Sequence, residues 1–191
     1  ENKAGGEILI QEMLRGINSS SSAAPAFLNN GRLECSNNIS HAIANFGAFV
    51  NHAELILRNH YMSIWNSTVS RFENDGGIIK ITGGNNNTDI SNDNVFINHP
   101  CSEMYLAGRV YNTSSYFDNY GFIESTEAGS NYWGSGAINN RGIFLDTYDR
   151  ALPILYNQAI RYRLLDDRPY EWLFANVADI ADWGDYTPGD F

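Results

Sequence analysis

The residues best suited to chemistry recur at fixed places in a repeated motif. His52, Asp75 and His99 hold the same position in three consecutive copies. If each copy is one coil of a stacked structure, these side chains lie about 4.8 Å apart, one strand spacing. Imidazole and carboxylate groups at that spacing could bind a divalent metal ion. The alternative interpretation is a solvated strip of polar residues.

Two acids form a second candidate site. Glu73 and Asp118 share one position in copies that are two coils apart. Two strand spacings give roughly 10 Å, near the upper end for the paired carboxylates of an inverting glycosidase. No Lys or Arg cluster adjoins them to neutralise a uronate or to act as a lyase base. Glu73 and Asp118 are therefore either a catalytic pair or ordinary surface acids.

The sequence predicts no cofactor, although its oxygen-rich segments leave calcium as an alternative. Residues 85–94 hold Asp89 and Asp93 among many amide and hydroxyl oxygens, the ligands that calcium prefers. The same segment stretches one repeat, and we interpret residues 82–94 as a protruding loop. A similar weak case exists for four acids near the end of the chain: Asp179, Asp182, Asp185 and Asp190.

The two cysteines are predicted to be free thiols. Cys35 falls in the first coil and Cys101 in the fourth. Three coil spacings separate them by roughly 14 Å, which is beyond the reach of a disulfide. We expect both thiols to be mostly buried.

These positions are defined by a motif of the form apolar, x, Asn, x, small, x, apolar, seen most clearly in residues 49–55. Successive copies begin 22, 23, 24, 21 and 21 residues apart. Their first residues are Phe27, Phe49, Phe72, Phe96, Phe117 and Ile138. A near-constant period in this range is typical of a solenoid.

A second track precedes the first by six to eight residues in each copy. It begins at Ile43, Ile64, Ile90, Val110 and Tyr132, with Asn two residues later in all but the last. Each copy therefore contains at least two short strands with a bend between them. We predict an all-β fold, a right-handed parallel β-helix (β-solenoid) with coils of about 22 residues.

The alternation of the motif predicts which side chains face inward. The first residues should form an apolar stack, and the seventh residues Leu33, Leu55, Ile78, Ile123 and Phe144 a second one that Ser102 interrupts. The small residue at the fifth position, such as Gly31 or Gly76, suggests a tight corner. The third residue shares the inward parity and is always Asn: Asn29, Asn51, Asn74, Asn98, Asn119 and Asn140. Stacked amides can bond to one another as a structural ladder, although Asn is also common in turns.

The repeats divide the chain into three parts. Residues 1–20 lack the motif and are predicted to be an N-terminal cap or assembly segment, either a strand or a short capping helix. Residues 21–146 are the β-solenoid repeats. Residues 147–191 are apolar and rich in aromatic residues, which suits a C-terminal cap or a docking tail, since solenoid ends expose unpaired strand edges.

Composition narrows the range of partners. The 191 residues carry 12 basic and 22 acidic side chains, for a net charge of -10, which argues against nucleic acid and anionic membranes. No apolar run approaches the roughly 18 residues of a membrane span. Because the sequence begins at Glu1 without Met, we expect a processed form or a fragment.

The repeats resemble the Asn/Gly-rich arrays of secreted bacterial surface proteins, including those of Bacteroidetes-type bacteria. The matching stretches are residues 27–31, 43–47, 96–101, 117–121 and 138–142. The resemblance implies a β-solenoid, an extracellular or cell-surface location, and a part in adhesion or surface structures. It carries no catalytic residues.

From these patterns we predict a non-enzymatic structural or adhesive module, which assembles through its ends into a homo-oligomer or filament. Glycans or other surface proteins are its expected partners. The alternatives are a carbohydrate-active enzyme on a β-helix and a carbohydrate- or calcium-binding module.

Overall fold

The chain coils about one axis in short β-strands. A computed structural model describes residues 1–20, 26–83, 88–114, 116–126, 132–136, 138–146, 154–155, 160–165 and 168–174. The described residues form strands, turns and bends, and no helix is found among them. None of them therefore belongs to a helix long and apolar enough to cross a membrane.

Three sheets form the sides of the coil, and each coil passes through sheets 1, 2 and 3 in that order. Sheet 1 contains β1 (Glu7–Gln11), β4 (Arg32–Ser36), β7 (Glu54–Arg58), β10 (Ile78–Thr82), β13 (Glu103–Leu106), β16 (Phe122–Ser125), β19 (Ile143–Asp146), β21 (Ile160–Leu165) and β22 (Arg168–Phe174). Sheet 2 contains β2 (Arg15–Ser19), β5 (His41–Asn45), β8 (Met62–Asn66), β11 (Thr88–Asn92), β14 (Arg109–Asn112) and β17 (Tyr132–Trp133). Sheet 3 contains β3 (Phe27–Asn29), β6 (Ala48–Asn51), β9 (Arg71–Asn74), β12 (Val95–Asn98), β15 (Phe117–Asn119), β18 (Ile138–Asn140) and β20 (Ile154–Leu155).

Strand pairing confirms the predicted parallel β-solenoid. Strands of successive coils pair in parallel in all three sheets, as in the register of Phe49 with Phe72 and of Asn51 with Asn74. The antiparallel pair β21–β22 at the end of sheet 1 is the exception among the described strands. The right hand of the coil stays a prediction from the preference of parallel crossovers.

The first motif position forms the predicted apolar stack. The rings of Phe27, Phe49, Phe72, Phe96 and Phe117 follow one another with centroids 4.7–4.9 Å apart and planes 4–12° from parallel. The parallel strand pairing sets this distance, because the rings project from equivalent residues one strand spacing apart. Phe49 to Phe117 are fully buried, and Ile138 continues the column.

The inner column of sheet 1 differs from the prediction in two coils. Strand pairing places Ile79 opposite Leu55 and Met104 opposite Ile79. The prediction that Ile78 continues the column was wrong, and so was the prediction that Ser102 interrupts it. The corner between sheets 3 and 1 is one residue longer before Ile79 and two residues longer before Met104, which a fixed motif length does not accommodate.

These extra residues lie where the backbone turns left-handed. Gly76 has a φ of +73° and Cys101 a φ of +62°. Gly77 and Ser102 then take the small-residue position at the corner, which the motif had assigned to Gly76 and Pro100. Ser102 is buried, and its Oγ accepts a hydrogen bond of 2.8 Å from the backbone N–H of Gly76. This hydrogen bond links the two longer corners.

The predicted asparagine ladder is confirmed, and it is longer than expected. Each Nδ2 donates to the Oδ1 of the asparagine in the next coil, over 2.6–2.9 Å from Asn29 to Asn140. Asn2 adds one rung at the start, 2.8 Å from Asn29. All of the amides point in the same direction along the axis, from the first coil toward the last.

A second ladder runs inside sheet 2. The amides of Asn45, Asn66, Asn92 and Asn112 are fully buried and bond in the same direction over 2.7–2.8 Å. The second sequence track located these residues, but their mutual hydrogen bonds were not predicted. At the start of the column Ser19 is in register with Asn45.

Two segments differ from the sequence-based description. Residues 1–20 form a first coil rather than a separate cap, because β1 pairs with β4, β2 with β5, and Asn2 bridges to Asn29. Part of the predicted protruding loop is the buried strand β11. The abundance of Asn and Ser in this segment predicts a loop, but Asn92 is a ladder residue and Ile90 belongs to the core. Residues 84–87 lie outside the described chain.

The predicted cap or docking tail continues the coil for part of its length. Strands β20 and β21 extend sheets 3 and 1 in parallel, and β22 turns back against β21. The remaining tail residues, including the four aspartates, lie outside the described residues.

Candidate functional site

The predicted metal column lies along the corner between sheets 3 and 1. His52, Asp75 and His99 occupy equivalent points in successive coils. The Nδ1 of His52 is 2.7 Å from the backbone oxygen of Asp75, whereas the Nε2 of His99 is 2.8 Å from Oε2 of Glu73. The three side chains therefore do not converge on one point. Within the described ranges, no group of three or more His, Cys, Asp or Glu side chains could hold a metal ion.

The two acids of the candidate catalytic pair, Glu73 and Asp118, lie on the outer face of sheet 3, two coils apart as predicted. Glu73 accepts hydrogen bonds from Arg71 and His99. Partial burial raises the pKa of Glu73. The hydrogen bonds and charges of Arg71 and His99 together lower it by more, so the pKa of Glu73 lies below its ordinary value. Asp118 accepts a hydrogen bond of 2.6 Å from Asn139. The lowered pKa of Glu73 does not suit the general acid of a glycosidase, which needs a raised pKa.

The predicted calcium ligands face different surroundings. Asp89 is buried, and its Oδ2 accepts a hydrogen bond of 2.6 Å from the backbone N–H of Gly108. Asp93 is half-buried and accepts hydrogen bonds from Trp65 Nε1 at 3.3 Å and from Thr113 Oγ1 at 2.7 Å. Both carboxylates thus link neighbouring coils, and calcium at this segment stays a prediction.

The cysteines are separate free thiols, as predicted. Cys35 is fully buried in β4, and burial, with the nearby Glu34 charge, raises its pKa to about 12. The expectation that Cys101 is also buried was wrong, because it is exposed at a left-handed corner. Cys101 is an extra residue of a lengthened corner, and its side chain therefore does not point into the core as a motif of fixed length would predict.

A buried histidine in the turn between sheets 1 and 2 was not predicted. His60 is fully buried; its Nδ1 accepts a hydrogen bond of 3.3 Å from the backbone N–H of Asn38, and its Nε2 lies 2.9 Å from the backbone oxygen of Cys35. Burial lowers the pKa of His60 more than the contact with the backbone oxygen of Cys35 raises it. The neutral ring therefore links two coils. It lies outside the repeated motif, so periodicity gave no signal for it.

Large apolar side chains are exposed in the first two described coils. In the described chain, β1 and β2 are the outermost strands of sheets 1 and 2. Leu9 in β1 is 56% exposed, Met13 and Leu14 between β1 and β2 are 54% and 65% exposed, and Ile39 in the next coil is 73% exposed. The backbone N–H of Ile39 donates to the backbone oxygen of Met13, so these two residues lie at the same corner. Neighbouring exposed apolar groups are a surface prone to association.

The outer face of sheet 1 changes character along the axis. In its first four strands, Arg32 contacts Glu7, Glu34 and Glu54, and Lys80 also contacts Glu54 at 3.0 Å. Further along, Glu103 lies opposite Phe122, and Tyr105 lies opposite Glu124. Sequence reasoning missed this second group because it displaced β13 by two residues. The alternating pattern of residues 103–105 and 122–124 was its only signal.

The chain matches no protein-family model, no curated protein and no solved structure. The resemblance to Asn/Gly-rich surface arrays stays a prediction from the repeat motif. The fold is therefore inferred from strand pairing alone, and a function can be inferred only from the surfaces and ends of the coil.

Proposed function

We propose that this protein is an extracellular structural and adhesive module, a β-solenoid rod that joins other copies through its ends. The observation that carries the proposal is the apolar surface of the first described coil, where Leu9, Met13 and Leu14 are exposed on or beside strands β1 and β2. A further strand or coil added there would gain backbone hydrogen bonds and bury apolar surface.

The interior supports a mechanical role. Stacked phenylalanines and two amide ladders link consecutive coils with the same contacts at each step. Because the amides bond along the axis, each coil is tied to the next by side chains as well as by strand pairing. Such a rod resists bending and is suited to holding surface groups at a fixed distance. The resemblance of the repeats to surface arrays supports the extracellular location.

Electron microscopy of the purified protein tests the assembly. We expect filaments of constant width whose number increases with protein concentration, with a matching rise in light scattering. Leu9→Lys should abolish them, because a charge on an edge strand opposes further pairing. Val69→Lys, at a residue that is 75% exposed in another turn, is the matched control and should leave them intact. A wild-type protein that stays monomeric at all concentrations would overturn the proposal.

Location requires a separate measurement. Antibodies against the purified protein should label intact, unpermeabilised source cells or their medium. Labelling that appears only after permeabilisation would exclude an extracellular role.

A further inference from the structure

Two aromatic rings and two carboxylates alternate on the outer face of sheet 1. Glu103 and Tyr105 belong to β13, and Phe122 and Glu124 to β16, so each strand carries one ring and one acid. The register sets each ring opposite an acid of the other strand. The ring centroids of Tyr105 and Phe122 are 5.8 Å apart and tilted by 56°. All four side chains are partly exposed.

An open groove lies on each side of this group. The wider one, about 280 Å³, is lined by Glu103, Tyr120, Phe122 and the exposed Ile143, among other residues. Its lining includes Gly142, where a Cβ would lie 2.1 Å from the backbone oxygen of Gly121, so a larger residue does not fit there without a shift of the backbone.

The narrower groove, about 120 Å³, lies between coils on the other side of the aromatic pair. It is lined by Tyr105 and Glu124 together with Thr126 and aliphatic residues. Each groove thus offers one or more aromatic rings and one carboxylate. Along a strand the two positions are two residues apart, which is roughly 6.6 Å.

We propose that this surface binds a neutral, hydroxyl-rich carbohydrate chain, which lies diagonally over β13 and β16 with successive sugar rings in the two grooves. The apolar faces of sugar rings would stack on Phe122 and Tyr105. Sugar hydroxyls would donate hydrogen bonds to Glu103 and Glu124, since ionised carboxylates are strong acceptors. The same ring-and-acid pair occurs twice at a short spacing, and a repeating polymer matches such a surface.

The charges on sheet 1 favour a neutral polysaccharide over an anionic one. The ion pairs of sheet 1 involve Glu7, Arg32, Glu34, Glu54, Arg58 and Lys80. Neither Glu103 nor Glu124 belongs to an ion pair in the described chain, so an anionic polysaccharide would meet uncompensated negative charge. Arg141 lies 5.6 Å from the ring centroid of Tyr120, which lines the larger groove, but it is not itself among the lining residues.

A small organic cation fits less well. Quaternary ammonium ions are typically held in a cage of aromatic rings, whereas Tyr120 and Phe122 line the larger groove and Tyr105 the smaller one, and both grooves are open. The hydroxyl of Tyr105 also donates a hydrogen bond of 2.7 Å to Oε2 of Glu103, which fixes the ring and part of the acid in place. A fixed, shallow, extended surface favours a long occupant over a compact one.

Affinity electrophoresis of the full chain through gels that contain soluble polysaccharides tests the proposal. We expect retardation by one or more neutral polymers, such as a β-glucan, a xylan or a mannan, and none by a polyuronate. Phe122→Leu keeps an apolar side chain without the ring, and it should weaken the retardation roughly tenfold. Glu103→Gln keeps one acceptor oxygen and should weaken it a few-fold. Tyr61→Ala, at a tyrosine that is 51% exposed elsewhere, is the matched control and should bind as the wild type does.

The outcomes separate this inference from the proposed function on which it rests. Thermal unfolding of Phe122→Leu establishes that the variant is folded, and microscopy of the same variant should still show filaments. Filaments without retardation by any neutral polymer would overturn the carbohydrate site alone. Stronger retardation by the polyuronate, saturation of the site by tetramethylammonium, or unchanged binding in Phe122→Leu would also overturn it.

Discussion

At the scale of single residues, a buried amide is tolerated because its two N–H groups and its carbonyl oxygen are all hydrogen-bonded. Asn74 is fully buried. Its Nδ2 donates to Asn98 Oδ1 at 2.9 Å and to the backbone oxygen of Glu103 at 3.1 Å, and its Oδ1 accepts from Asn51 at 2.8 Å. An unpaired amide in an apolar interior would cost several kcal/mol. Sequence parity placed these asparagines inside, and only a ladder makes that position favourable.

His60 follows the same logic with a group that titrates. The neutral ring accepts a hydrogen bond from Asn38 at Nδ1, and a protonated ring could not accept it. Burial lowers the pKa of His60, and burial with the nearby Arg15 charge lowers the pKa of His41. Acid therefore adds protons to the unfolded chain before the folded one, and stability falls as the pH drops through the unfolded value of about 6.5.

We predict that the free energy of unfolding decreases between pH 7.5 and pH 5.5. The slope should not exceed about 1.4 kcal/mol per pH unit for each of the two groups. His60→Gln should reduce the slope, and the remainder then belongs to His41. Denaturant titrations at several pH values measure it, with Tyr61→Phe as the neighbouring control. An unchanged slope in His60→Gln would show that this ring does not link folding to pH.

At the scale of elements, each ladder rung ties two strands of the same sheet together. Removing one amide leaves a donor in one coil and an acceptor in the next without a partner. Each such buried group costs roughly 1–3 kcal/mol. The effect should exceed that of removing a polar group at the surface, even from a neighbouring residue.

We predict that Asn74→Ala lowers the melting temperature by several degrees, at about 2–4 °C per kcal/mol for a chain of this length. Asn30→Ala, at a half-buried residue beside the ladder residue Asn29, should have little effect. Asn74→Asp should be more damaging at neutral pH, because a carboxylate cannot donate to Asn98, and it should recover in part in acid. Equal losses in Asn74→Ala and Asn30→Ala would contradict a stabilising ladder.

The elements also show how far the sequence could predict the structure. Sheet 3 follows the motif residue by residue, because its strand carries both the apolar stack and the ladder asparagine. Sheet 1 could not be assigned in the same way, since its register depends on corners that lengthen at Gly76 and Cys101. No periodic signal reports an insertion at a corner until the partner strand is known.

This error had consequences for the candidate sites. The shifted register of β13 concealed the pairing of Glu103 with Phe122 and of Tyr105 with Glu124. The predicted sites were instead drawn from the correctly aligned columns, where His99 contacts Glu73 rather than Asp75. Side-chain direction within a column depends on the residues in adjacent columns of neighbouring coils, such as Glu73 for His99, and repeat spacing carries no information about these contacts.

At the scale of the whole molecule, stability is a sum of contacts between adjacent coils. Each described coil between the two ends pairs with the one before and the one after it, as β6 does with β3 and β9. Solenoids of this kind behave as nearly one-dimensional arrays. Their length can therefore change by whole coils, whereas a change of part of a coil moves every later inward residue out of register.

Deletion of residues 49–71 tests this property, because it removes the 23 residues of one period and joins Ala48 to Phe72. In the shortened protein Phe72 would stack on Phe27, and Asn74 would accept the hydrogen bond of Asn29. We predict a folded β-protein with cooperative unfolding at a lower temperature, since one coil interface is lost. Deletion of residues 49–59 removes about half as much chain, but it should abolish folding because the columns no longer align. Circular dichroism with thermal unfolding measures both variants. If the longer deletion unfolds the protein as completely as the shorter one, the coils do not act as interchangeable units.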